Sequence, residues 1–257
     1  MEQTLPLTLD ERTLPAWLAA QGLCDDPATL RVRRLTGGVS NQAFWVDGPR
    51  GACVVKQARP RLAVAMDWRA DVNRIVREAE ALEWLHARIG PPRIPRLLCL
   101  DRAAKALAME AIPPPAENYK TILLRGEVEP ALAEAFGGLL AEIHNATADA
   151  ATAARFEDAA FFDQLRLGPY YGTVAERHPA LAPRLAELRA ECLEARYCLV
   201  HGDYSPKNIL VRGGGLVLLD YEVAHWGNPS FDLGFALTHF CAKALHLPRR
   251  GAAFLAA

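Results

Sequence analysis

The sequence has almost no net charge: 29 Lys and Arg stand against 30 Asp and Glu in 257 residues, a formal −1. That balance lacks the surplus of basic charge on which broad binding to nucleic acid or an anionic membrane depends. Long apolar runs are missing as well. Uncharged stretches such as Leu233–Ala242 fall short of the ~18 apolar residues of a membrane span, so no bilayer-crossing helix is expected. The six cysteines, Cys24, Cys53, Cys99, Cys192, Cys198 and Cys241, form no CxxC pair. Neither a local zinc site nor a redox motif is written, and reduced, mostly buried thiols are predicted. Glu2 stands where a secretory signal has basic residues and no apolar segment follows, which predicts a cytoplasmic chain. Repeats and low-complexity tracts are absent too. What remains is an ordinary globular composition, 51% hydrophobic and 23% charged. At ~150 residues per domain it makes one large or two small domains.

Punctuation divides the chain. Thr8 and Glu11 read as a capping box ahead of a short helix through Leu14, Trp17 and Leu18 that Gly22 closes. Short β-prone runs follow at Leu30–Thr36, Gln42–Asp47 and Ala52–Ala58, broken by Gly37-Gly38 and by Gly48-Pro49-Arg50-Gly51. A helical pattern from about Asp71 to Ile89 stops at Gly90-Pro91-Pro92, and two more strands are predicted at Arg96–Leu100 and Ala106–Met109. Pro113-Pro114-Pro115 is the sharpest break. Beyond it the pattern is mainly helical, at Ala131–His144, Phe161–Tyr171 and Ala182–Ala195. One β island interrupts it, with runs at Cys198–Val200, Ile209–Val211 and Leu216–Leu219 and a glycine turn at Gly213-Gly214-Gly215.

The chemistry concentrates in that island. His201-Gly202-Asp203-Tyr204-Ser205-Pro206-Lys207-Asn208 is followed by Asp220-Tyr221-Glu222 at the end of the hairpin. Asn208 and Asp220, on either side of a tight hairpin, offer the hard oxygen donors that Mg²⁺ takes together with substrate phosphates. Glu222, two residues on, points to the same side of an extended segment. It reads either as help for a second metal or as a solvated surface acid. Asp203, at the centre of its loop, could accept a hydroxyl proton or simply cap a turn.

This stretch resembles the catalytic loop and metal-binding segment of the aminoglycoside phosphotransferase-like kinases, the small-molecule branch of the protein-kinase-like fold that includes choline and methylthioribose kinases. The related kinase pattern is H-R-D-x-x-x-x-N followed by D-F-G. Asp203 and Asn208 are five apart, as in that pattern. The resemblance implies an α+β, bilobal protein-kinase-like fold. Its N-lobe is a small antiparallel sheet with one long helix, residues 1–110, and its C-lobe is mainly helical, 111–257, with the hinge at about 109–115. ATP and Mg²⁺ are the implied cofactors, with the metal on Asn208, Asp220 and Glu222 and the catalytic set Asp203, Asn208 and Asp220.

Two upstream parts are then required, a strand lysine for the α/β-phosphates and a helical glutamate to orient it. Val54-Val55-Lys56 supplies the lysine. Glu78 and Glu80 compete as its partner, and helical phase separates them. Glu78 lies on the stripe of Ile75, Leu82, Leu85 and Ile89, whereas Glu80 points roughly 200° away. A carboxylate on an apolar face needs a cation, which selects Lys56–Glu78; the alternative is a snorkelling edge lysine beside a glutamate at the margin of the stripe. By the same resemblance the turn holding Gly37, Gly38, Ser40 and Asn41 folds over the phosphates with backbone N–H groups and a hydroxyl. Backbone groups of Glu110 and Ile112 take the hinge position at the adenine edge. Asp232 matches the aspartate that braces the catalytic loop, a place that also suits a plain capping acid. His144 reads as a satisfied core histidine, and Lys207 as a solvated loop residue.

Asp220 and Asp232 are only 12 positions apart and no A-P-E motif follows, which leaves no platform for a peptide. The expected acceptor is a small-molecule hydroxyl: an aminoglycoside, a sugar or an amino alcohol. Glu127, Glu129, Glu157 and Asp163 could attract an amine, though exposed acids are the ordinary case. The expected state is monomer or homodimer. Against the family the chain reads as lacking the last C-terminal helices that wall the acceptor site. Two other classes stay open: a non-catalytic pseudokinase, and a metal-dependent phosphohydrolase using His201, Asp203, Asp220 and Glu222.

Overall fold

The computed structural model describes residues 7–36, 38–63 and 68–256. It divides into two compact units, one holding the chain up to Trp84 with Pro95–Pro113, the other Leu85–Ile94 with the chain from Pro114 onward.

The first unit is built on a five-stranded antiparallel sheet: β1 (Arg31–Leu35), β2 (Asn41–Asp47), β3 (Cys53–Ala58), β4 (Leu97–Asp101) and β5 (Ala106–Glu110), in the order β1-β2-β3-β5-β4. Strand alternation sorts its faces. Phe44 pairs with Val55, and both enter one core with Ala106, Ala108 and helix α1 (Leu14–Ala20), through Leu14, Trp17 and Leu18. Lys56, one residue on from Val55, is therefore carried on the opposite face. Helix α2 (Arg74–Arg88) buries Ile75, Leu82 and Leu85 of the predicted stripe, while Ile89 follows its end and is half-buried. Gln57 is buried with its amide satisfied: it accepts from Leu9 N and donates to the carbonyls of Leu7 and Ala104, all at 2.8 Å.

One local expectation fails. Thr8 does not cap α1, which begins at Leu14 behind Thr13. Asp10 instead accepts from the backbone N–H of Arg12 (2.9 Å) and Thr13 (2.8 Å), because a short acceptor two or three residues ahead fits a turn. Gly22 closes the segment as expected, at φ +73.

The second unit is mainly helical: α3 (Tyr119–Leu124), α4 (Pro130–Ala146), α5 (Ala150–Phe156), α6 (Ala160–Phe162), α7 (Thr173–Arg177), α8 (Ala182–Glu194), α9 (Ser230–His246) and α10 (Gly251–Ala256). A π-helix spans Asp163–Gly172 and contains Pro169. Its five-residue spacing is visible where Thr173 N–H bonds Gly168 C=O. Three short ladders complete the unit. β8 (Ile209–Arg212) and β9 (Gly215–Leu218) form the expected hairpin, turned by Gly213 (φ +56) and Gly214 (φ +77), which suits the left-handed pair a two-residue turn demands. β6 (Glu117–Asn118) pairs with β8, and β7 (Cys198–Val200) with β10 (His225–Gly227). The sequence reading contained neither β6 nor β10: Glu117-Asn118 and His225-Trp226-Gly227 lack the run of β-branched and aliphatic residues that marks β7. Among the described residues no helix is long and apolar enough to cross a membrane.

Candidate active site

In the first unit Lys56 Nζ lies 2.5 Å from Glu78 Oε1, with the two side chains 11% and 0% exposed. Glu80 lies elsewhere, 3.2 Å from Arg102. The helical phase thus separates the two glutamates correctly, and Lys56 is no snorkelling edge residue.

The turn ahead of β2 is held from behind. The Ser40 carbonyl accepts from Arg59 N–H (3.0 Å) and from the Arg74 guanidinium, while the Val39 carbonyl accepts from Ala63 N–H at 2.9 Å. Arg74, fully buried, also donates to the carbonyls of Asp71 and Arg59, each at 2.9 Å. Gly38 packs closely, since a Cβ there would stand 3.2 Å from Asn41 O. Ser40 and Asn41 are buried; Gly37 lies outside the described residues. At the end of β5 the Glu110 N–H bonds Arg96 O at 2.9 Å, and Ile112 follows the strand.

The second unit carries the loop after β7. Asp232, at the first turn of α9 and fully buried, accepts from His201 N–H (2.7 Å), Gly202 N–H (2.8 Å) and His144 Nε2 (3.1 Å). Burial alone would push this carboxyl up, yet the His144 bond, the two imidazoles and the backbone donors hold it below its ordinary value. The Asp232 carboxylate is therefore the loop's brace, and His144 is satisfied by it. His201 is spent on the same framework: Nδ1 accepts from Asp203 N–H and Nε2 faces Leu219 O, both at 3.1 Å. With both ring nitrogens committed and burial holding the imidazole below its ordinary value, His201 is unsuited to the hydrolase role.

Asp203 is 5% exposed and meets two cations through one oxygen. Arg166 lies 2.9 Å and Lys207 3.1 Å from Oδ2, and no bond reaches Oδ1 from the described residues. Lys207 is exposed, as expected of a loop residue, but it is also paired. Burial works against its charge, but Asp203 and Asp220 hold its pKa above the ordinary lysine value. Arg166 is the functional side chain that sequence reasoning missed. It also donates to the Gly202 and Leu165 carbonyls, both at 2.9 Å. Its own burial is offset by Asp203, Glu222 and Asp220.

The hairpin register brings the hard-oxygen donors together. Ile209 pairs with Leu218, and Leu219 N–H bonds Asn208 O at 2.9 Å, which puts Asp220 one residue beyond the position opposite Asn208. Asn208 Nδ2 donates to Asp203 O at 2.9 Å, so its carbonyl oxygen is the end suited to a cation. Asp220 adopts φ +74, a left-handed backbone that Asp tolerates better than most side chains. Glu222 is 4% exposed, which excludes the surface-acid alternative. One carboxamide and one or two carboxylates fit the donor set that Mg²⁺ completes with phosphate oxygens and water.

A model of the phosphotransferase enzyme family, APH, matches residues 31–256. The chain belongs to that family. Methylthioribose kinase 2 of rice (Oryza sativa subsp. japonica) is 26% identical over 263 residues, covering 88% of this chain and 61% of its own. Methylthioribose kinase of Citrobacter koseri is 27% identical over 266 residues, covering 90% of this chain and 66% of its own. The chain therefore spans less than two thirds of the length of either relative. Among solved structures, macrolide 2′-phosphotransferase MphH from Brachybacterium faecium aligns at TM-score 0.57 and 20% identity, over 94% of this chain and 82% of that one. Choline kinase LicA from Streptococcus pneumoniae aligns at 0.53 and 17%, over 96% and 79%. At such identities the likeness is one of fold: the protein-kinase-like α+β architecture, as the motifs implied.

Proposed function

We propose that this APH-family chain transfers the γ-phosphoryl group of ATP to a hydroxyl of a small molecule. The observation that carries the reading is the buried Lys56–Glu78 pair, for which a hydrolase has no use. Glu78 holds the ammonium in place, so that Lys56 can offset nucleotide phosphate charge. The braced turn of Gly38, Ser40 and Asn41 presents backbone N–H groups to the same phosphates. The Glu110 and Ile112 backbone serves the adenine edge. Asn208 and Asp220, assisted by Glu222, would hold Mg²⁺, which when bound spreads phosphate charge.

Asp203 does the proton work. Arg166 and Lys207 restrain Oδ2, so Oδ1 is the oxygen that receives the acceptor hydroxyl. Lys207 stands beside the oxygen where charge develops. Positioning and electrostatics, without a covalent intermediate, supply the rate.

The test is acceptor-dependent ADP release across hydroxyl compounds, beside a no-acceptor control. Asp203→Ala is expected to lower kcat by ~10²–10⁴-fold while leaving ATP binding, followed by calorimetry, nearly unchanged. Phosphate release that needs no acceptor, or near-normal turnover by the variant, would refute the assignment.

A further inference from the structure

We infer that the acceptor bears an anionic group, a carboxylate or a phosphate, which seats against Lys243 and Lys120. The inference rests on the phosphotransferase reading and deepens it.

Helix α9 leads from the catalytic loop to these lysines. Asp232, His239 and Lys243 are seven and four residues apart, so all three lie on one face. Asp232 grips the loop backbone at one end of that face. At the other, Lys243 is 6% exposed, and its Nζ makes one bond, 3.2 Å to the His239 carbonyl on its own helix. No described carboxylate pairs with it. A buried cation without a counter-ion is costly, and here burial and the charge of Lys120 hold the amine below its ordinary value.

Helix α3 closes the group. Its capping residue Asn118 donates to the Lys207 carbonyl at 2.6 Å, and Lys207 contacts Asp203. The Tyr119 ring packs on Phe240 of α9 at 6.2 Å, next to exposed Lys120, which has no ion pair among the described residues. The Tyr119 hydroxyl is buried without a hydrogen-bond partner. Burial keeps it protonated, pushed up to about 12, hence a donor. His239 lies within electrostatic reach of Lys243, Asp203, Lys207 and Lys120, and burial favours its neutral form.

Most of the acids that could favour an amine are already matched. Arg166 and Lys207 already match Asp203. Glu127 is taken by Arg125 at 2.7 Å and Asp163 by Arg189 at 2.6 Å. Glu129, whose charge reaches Tyr119, bonds neither Lys120 nor Lys243. An aminoglycoside would meet cations here, whereas an anion would supply the missing counter-charge.

The experiment titrates the nucleotide-free full chain with matched probes: gluconate against glucose, and glycerol 3-phosphate against glycerol. The first pair tests a carboxylate, the second a phosphate. In at least one pair the anion is expected to bind about tenfold tighter or better. Lys243→Met and Lys120→Met should each remove most of that preference, and Lys56→Met, on the nucleotide side, should leave it. If Lys243→Met does not fold, exposed Lys120 carries the test. Equal binding within both pairs, or a preference that survives both lysine variants, overturns the inference. ADP release that is fastest with a neutral or aminoglycoside acceptor also overturns it and leaves the phosphotransferase reading standing. A Lys243-dependent anion preference without nucleotide turnover does the reverse.

Discussion

Asp232 makes the loop around Asp203 a fixed object. It is fully buried, yet two backbone N–H groups and His144 keep it ionised. Hydrogen bonds to a charged acceptor contribute ~1.5–3 kcal/mol, so Asp232→Asn should destabilise the fold by about that much at pH 7 in chemical denaturation. The sign of its pH dependence follows from the depressed pKa. The native carboxyl titrates below its ordinary 3.8, so its contribution is complete above that value and is lost as pH falls through the native one. The gap between wild type and Asp232→Asn should therefore hold at neutral pH and close only in acid, below about pH 4. A gap that closed well above pH 4 would overturn the assignment of this contribution to the Asp232 carboxylate. Lys207 illustrates how a residue's role escapes sequence. Four positions after Asp203 it reads as solvated, and its side chain is indeed half exposed, yet the 3₁₀ turn Pro206–Asn208 also brings its ammonium to 3.1 Å from the carboxylate.

Among the elements, two short pieces of irregular backbone do what regular helices and strands could not. The loop between β7 and β8 needs Gly202 at φ +75, where a Cβ would stand 2.8 Å from Val223 Cγ2 and 3.2 Å from Val223 O. Gly202→Ala should cost ~1–2 kcal/mol for the left-handed backbone alone, with the clash added, and should lower kcat by displacing Asp203. An alanine variant with wild-type melting temperature and turnover would show that the loop yields easily. The π-helix is the second piece. Pro169 has no N–H for an α-helical bond, and the wider turn accommodates the loss while presenting Arg166 to Asp203 and Gly202. Sequence periodicity predicts a helix at Phe161–Tyr171 but not its wider winding, so the inward face could not be assigned.

For the molecule as a whole, the chain changes unit between Pro113 and Pro114, within the proline run, but also at Leu85 and after Ile94, a segment that the sequence reading kept in the first lobe. No disulfide joins any of the six cysteines. Only Cys24 and Cys198 are buried; Cys53, Cys99 and Cys192 are half-buried and Cys241 is exposed, so the expectation of mostly buried thiols was too strong. Burial pushes Cys53 up to about 11 and Cys198 up to about 12, which suppresses the reactive thiolate. Alkylation of the native protein at pH 7.5 should therefore label Cys241 first, with Cys24 and Cys198 reacting only on unfolding, as peptide mass spectrometry would register. Early labelling of Cys198 would mean that strand β7 opens far more readily than its burial implies.

What the sequence determined by itself was whatever a local period or a fixed spacing can encode. The helical repeat singled out Glu78 over Glu80, and the Asp203–Asn208 spacing with its hairpin defined a loop. Each depends only on near neighbours in the chain. Tertiary structure decided the rest. Arg166 reaches Asp203 across 37 residues, Arg74 reaches the Ser40 carbonyl across 34, and Lys120 and Lys243 come from helices 123 positions apart. No local pattern announces such pairs, because a charged side chain has the same propensity whether it faces water or a buried partner. Only closure of the intervening chain, with its entropy offset by packing, fixes which of the two it meets.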